Sequence, residues 1–148
     1  MKKVIFILVV ILVIAQFFRP SKNIGDSVDL ATFYNETNAS EEIQNILKVS
    51  CNDCHSSNTN YPWYSNITPV NYFLANHVNE GKGHLNFSNW NSYDTKKKDH
   101  KLEELIEEIE KGGMPLGSYT TIHSDAKLND EQIQKLIFWV KEARKNIK

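Results

Sequence analysis

Cysteine is nearly missing from this chain: two among 148 residues, both between positions 51 and 54. Two cysteines cannot build the disulfide framework that staples small secreted domains. Basic charge is not in excess either, with 17 Lys and Arg against 18 Asp and Glu. Binding to a phosphate backbone needs such an excess, so nucleic acid is excluded as a partner. No internal repeat is visible, and no segment alternates polar and apolar residues as a half-buried strand does. At roughly 100–200 residues per domain, the length leaves no room for a second catalytic domain.

The hydrophobic residues are unevenly spread. Lys2 and Lys3 precede an apolar run from Val4 to Phe18, broken only by Gln16 and closed by Arg19-Pro20. With those three basic residues set aside, 14 basic and 18 acidic residues remain, a net of −4. At about 1.5 Å per residue the run reaches roughly 22 Å, short of the ~30 Å hydrocarbon core of a bilayer. A cleaved signal peptide with a small-residue site at Val13-Ile14-Ala15 is one reading. The other is an uncleaved anchor, with Lys2, Lys3 and Arg19 reaching to the two interfaces. The run continues to Phe17-Phe18 without the polar break that usually comes after a cleavage site, which favours the anchor. The positive-inside rule then keeps Lys2 and Lys3 in the cytoplasm and places everything after Arg19 on the periplasmic side.

Residues 20–39 are polar and aperiodic and read as a tether. Four helical segments come after it, so the pattern is all-α. The first starts at the N-cap Ser40, with Glu41 and Glu42 in its first turn and a stripe of Ile43, Ile46 and Leu47. The second opens on Thr68-Pro69 and stops at Glu80-Gly81, with Val70, Phe73, Leu74, His77 and Val78 on one face. The third runs from about Asp99 to Lys111, carries Leu102, Leu105, Ile106 and Ile109, and ends at Gly112-Gly113. Lys96 to Lys98 would oppose the dipole of a helix start and are placed before it, as a solvated surface. The fourth begins at Asn129, with Gln132 in a capping-box position and Ile133, Leu136, Ile137 and Val140 facing inward.

Chemistry concentrates in Cys51-Asn52-Asp53-Cys54-His55. In Cys-x-x-Cys-His both thiols can add to the vinyl groups of haem, and the adjacent His55 is placed to ligate the iron. A thioredoxin-like redox pair would need a βαβ pattern, which is missing. A zinc site would need further Cys or a tight His pair. A plain disulfide would be strained and would leave His55 unexplained. The pentapeptide therefore points to covalent haem c, a large apolar body on which four short helices could pack.

The second axial ligand has two candidates. Met114 is the one methionine besides Met1 and sits in Gly112-Gly113-Met114-Pro115-Leu116. The glycines free the backbone to approach the haem, Pro115 stiffens the chain beyond it, and a thioether favours Fe(II). His77, on the stripe of the second helix, would instead give bis-histidine ligation. His84, His100 and His123 stand in polar contexts as surface or propionate-contacting residues. Trp139 is expected in the core, near the haem edge or the first helix.

Beyond the pentapeptide stand Tyr61-Pro62-Trp63-Tyr64-Ser65-Asn66-Ile67, His77-Val78-Asn79-Glu80-Gly81-Lys82, His84 to Trp90, and Met114-Pro115-Leu116 with Tyr119 and His123. Over roughly residues 38–147 this set resembles the small bacterial haem-binding domain family of membrane-anchored c-type cytochromes. The resemblance implies a mono-haem domain in the periplasm, with Cys51 and Cys54 attaching haem and His55 as its proximal ligand.

The resulting expectation is an all-α, cytochrome c-like domain over 40–148, joined by the 20–39 tether to a single membrane-anchor or signal segment over 1–19. It is an electron carrier rather than an enzyme, its partners redox proteins of a respiratory chain and the membrane. A peroxidase-like or gas-sensing domain with an open distal site is the alternative, and a haem-free thiol module a third.

Overall fold

The computed structural model describes residues 1–25 and 30–147. It is helical throughout: α1 Lys2–Ala15, α2 Leu30–Glu36, α3 Glu41–Ser50, α4 Asn52–His55, α5 Val70–His84, α6 Thr95–Glu110, α7 Gly117–Thr120 and α8 Asp130–Ile147. Short 3-10 turns cover Trp63–Asn66, Phe87–Ser92 and Ser124–Ala126. Among the described residues the one β-type pairing is an isolated bridge between Ile24 and Asn58.

The capping chemistry places several helices. Ser40 Oγ accepts from Ile43 N at the head of α3, supplying a partner to one of the donors that every helix start leaves open. At α8, Gln132 N donates to Asn129 Oδ1 at 2.9 Å while Asn129 N donates to Gln132 Oε1 at 3.0 Å, a complete capping box. Gly112, at φ 68°, adopts the left-handed conformation that ends α6.

Three boundaries depart from the sequence expectation. Helix α6 begins at Thr95, not Asp99, because Asp94 caps it by accepting from Lys97 N at 2.7 Å. The lysines thus lie in its first turn, where Lys98 pairs with Glu36 at 2.6 Å and sits over the Trp90 ring. Helix α5 begins after Pro69 and runs through Gly81 to His84 instead of stopping there. A Cβ on Gly81 would lie 2.7 Å from the Cys54 carbonyl oxygen, so this glycine permits contact with α4 rather than ending a helix.

The expected tether is the largest correction. Residues 30–36 form α2, and its fully buried Phe33 stands at the centre of the core. Phe33 stacks on Phe87 at 4.4 Å and meets Trp90 and Trp139 edge-on at 5.0 and 6.0 Å. Trp90 Nε1 donates to Glu36 Oε2 and Trp139 Nε1 to the Thr37 carbonyl, so each buried indole has a partner from this segment. Around these rings Leu47, Leu102, Leu136 and Val140 from α3, α6 and α8 are fully buried.

The segment expected as a membrane anchor or signal over residues 1–19 forms a helix shorter than a membrane span. Helix α1 has 14 residues, about 21 Å at ~1.5 Å per residue. Among the described residues no helix is long and apolar enough to cross a membrane. Its side chains are nonetheless apolar and exposed from Val4 to Ile14.

Candidate functional site

Helix α3 runs straight into the pentapeptide: Cys51 N donates to Leu47 O at 2.9 Å, and the chain then turns into α4. Cys51 and Cys54 are free thiols. Burial and the neighbouring Cys54 push the Cys51 thiol up to about 12, and burial with the charge of Asp53 raises Cys54 to about 11. Neither thiol is a thiolate at neutral pH. A redox-exchange cysteine needs the opposite, a lowered pKa in an electropositive setting. Among the described residues no group of three or more His, Cys, Asp or Glu could hold a metal ion, which disfavours the zinc reading.

His55 is oriented from behind. Its Nδ1 donates to the Leu85 carbonyl at 2.9 Å, just past the end of α5. Placing the proton on Nδ1 leaves the Nε2 lone pair for a metal, the usual way a backbone carbonyl fixes a ligating imidazole. Burial lowers the His55 pKa below its ordinary value, against the opposing pull of the Leu85 and Gly81 carbonyls. The ring is therefore neutral at pH 7, as ligation requires. Phe87, stacked on Phe33, lies 5.9 Å from it and ties the ligand to the core.

In front of these residues opens a cavity of about 570 Å³ lined by Cys51, Cys54, His55, His77, Met114 and Tyr119 among others. Cofactor-sized sites span about 300–1,000 Å³. The structure thus brings the two thiols, His55 and both distal candidates to one cavity. Met114 is half-buried there, its loop held by Gly113 N and Met114 N, which donate to the Glu108 carbonyl at 2.9 and 3.2 Å. The glycines shape this turn. His77 lines the same cavity with Nδ1 donating to Phe73 O at 2.9 Å.

His84, read from the sequence as a surface or propionate-contacting residue, lines the cavity. Sequence reasoning missed Glu80, Lys101, Glu104, Glu107 and Glu108, which line it too. They come from the polar faces of α5 and α6, where charge is the default and gives no signal. Tyr119 OH donates to Asp53 Oδ2 at 2.8 Å, pinning α7 to the head of α4. Tyr119 also stacks on His123 at 4.4 Å, and His123 Nε2 is 2.6 Å from Tyr64 OH. Trp139 packs on Phe33 and is not among the cavity residues, so its place is the core alone.

These residues suit a haem. Two unionised thiols and a neutral, backbone-oriented imidazole share one cavity with apolar walls at Leu85, Leu105, Pro115 and Leu116. No curated protein and no solved structure matches the chain. A family described as haem-binding domain matches residues 10–142. That span takes in the pentapeptide, its cavity and most of the core, and the chain belongs to this haem-binding domain family.

Proposed function

We propose that the protein is a mono-haem c-type cytochrome that carries electrons outside the cytoplasm. The observation that carries this reading is the convergence of Cys51, Cys54 and His55, with His55 Nδ1 committed to Leu85, on one cavity of haem-compatible size. Cys51 and Cys54 hold haem through thioethers and His55 is the proximal ligand. Bound there, haem supplies a one-electron iron centre.

Met114 is the second ligand in this reading. Helix α5 rests on Cys54 through Gly81 and leads directly into Leu85, which holds His55. His77 lines the cavity from α5, its Nδ1 committed to Phe73 O, whereas Met114 arrives from the loop after α6. Were both His55 and Met114 to hold the iron, it would pass electrons without binding substrate, the behaviour of a carrier. The partners are respiratory redox proteins. The apolar segment ending at Phe18 holds the domain at the outer face of the cytoplasmic membrane. Helical turns continue through Phe18 by i to i−3 bonds at Gln16, Phe17 and Phe18, lengthening the apolar element by about 2 Å per residue.

Expression of the full chain with a haem-maturation system tests this. Haem is expected to stay with the polypeptide through acidic acetone extraction, and to be lost or extractable in a Cys51→Ala, Cys54→Ala double variant. A weak near-infrared sulfur-to-iron band is expected in the oxidised protein, absent from Met114→Ala and present in His77→Ala. Rapid carbon monoxide binding by the wild type would favour the open-site alternative instead.

A further inference from the structure

Residues 61–79 contain no Lys, Arg, Asp or Glu, in a chain that is 24% charged. This stretch forms the loop before α5 and most of that helix, and although Val78 is buried, several of its large apolar side chains face outward. Trp63 is 78% exposed, Phe73 55% and Ile67 42%, and Ile122, just past α7, is 64% exposed. Val70, Phe73 and Ile122 meet around a shallow hollow of about 70 Å³, and Trp63 packs edge-on against Tyr64 at its rim. Exposed apolar residues scattered singly are ordinary, but an uncharged cluster of them marks an interaction surface.

Helix α1 indicates what meets that surface. Gln16, the single polar break in the apolar run, bonds both ways to the backbone of Thr68. Its Oε1 accepts from Thr68 N at 2.9 Å and its Nε2 donates to Thr68 O at 3.1 Å. Thr68 Oγ1 also donates to the Phe18 carbonyl at 3.4 Å. The apolar segment is thereby fastened to the residue next to Ile67, inside the uncharged stretch.

We propose that the face formed by Trp63, Ile67, Val70, Phe73 and Ile122 rests in the interfacial layer of the bilayer that receives α1. The domain is then held in one orientation rather than swinging freely. The inference deepens the membrane reading above and rests on it. An uncharged face gives nothing with which to steer a charged protein partner. Trp and Tyr at the end of an apolar helix are the composition of a membrane interface, and Arg19 and Lys22, next along the chain, suit anionic headgroups. Since His77 lines both the hollow and the haem cavity, the docked face backs directly onto the haem site.

The test uses the full, haem-loaded chain, chemically reduced, labelled with 5-fluorotryptophan and reconstituted into vesicles of phosphatidylcholine and phosphatidylglycerol. A fraction of the lipid carries a gadolinium chelate on its headgroup. Trp90 and Trp139 are buried and serve as internal references, and Trp63→Phe assigns the third resonance. Severalfold faster relaxation of Trp63 than of the references is expected, and double substitution Ile67→Ser, Phe73→Ser should reduce that excess. If the protein floats with the vesicles but Trp63 relaxes no faster than Trp90, the docked face is overturned while membrane attachment stands. If the protein does not float, both fall. A Trp63 signal indifferent to lipid that broadens with protein concentration in detergent would assign the face to a second copy and overturn the proposal.

Discussion

His55 shows how one residue depends on a distant carbonyl. Its Nδ1 proton goes to Leu85, 30 positions further along the chain, and removing such a partner typically costs about 10–100-fold in metal affinity. The carbonyl cannot be mutated away, but the spacing that delivers it can be disturbed. A Cβ at Gly81 would press on the Cys54 carbonyl at 2.7 Å, so Gly81→Ala is expected to destabilise the fold by about 1–3 kcal/mol, as overpacking does. Urea unfolding would measure it, with Gly83→Ala as a control, since nothing lies within 4 Å of a Cβ there.

The same histidine makes the haem-free chain sensitive to acid. Because burial lowers its pKa below 6.5, the unfolded chain takes up the proton first as pH falls. The stability held above pH 6.5 is then lost as pH falls through the lowered value. The urea midpoint of the haem-free chain should drop between pH 7.5 and 5, and drop less in His55→Asn. Cys51, Cys54 and His55 are legible in the sequence because their chemistry depends on spacing along the chain. Gly81 reads there as a helix stop because its reason, contact with Cys54, lies across space.

At the level of elements, the links between helices are few and specific. Tyr119 holds α7 to α4 through Asp53, and α7 comes directly after the Met114 loop. Tyr119→Phe removes one hydrogen bond, worth about 0.5–1.5 kcal/mol. If Met114 ligates iron, the near-infrared band should also weaken, whereas a purely structural bond would leave the spectrum unchanged. Asp94→Ala is expected to cost about 1 kcal/mol by uncapping α6, measurable by thermal melting. That start is hidden in the sequence because the dipole rule weighs against three lysines, while Asp94 and the Lys98–Glu36 pair, 2.6 Å long, offset it. Helices α3 and α8 are legible because cap and stripe agree, and Ser40 and Asn129 do what their types favour.

Across the whole molecule, α2 matters most and is least visible in the sequence. Leu30, Phe33 and Tyr34 stand among polar neighbours in an element of seven residues, too short for a periodic stripe to show. Tertiary packing, not local pattern, makes Phe33 the centre of the core, and Phe33→Ala is expected to cost about 3–5 kcal/mol.

That arrangement sets the minimal unit that anyone isolating this domain would have to keep. A fragment starting at residue 40 discards Phe33, which fills the space between three other aromatic rings, and strips both inner indoles of their acceptors. Such a truncation should emerge as a loosely ordered, dye-binding species, whereas one starting at residue 20 should give sharp, dispersed amide spectra.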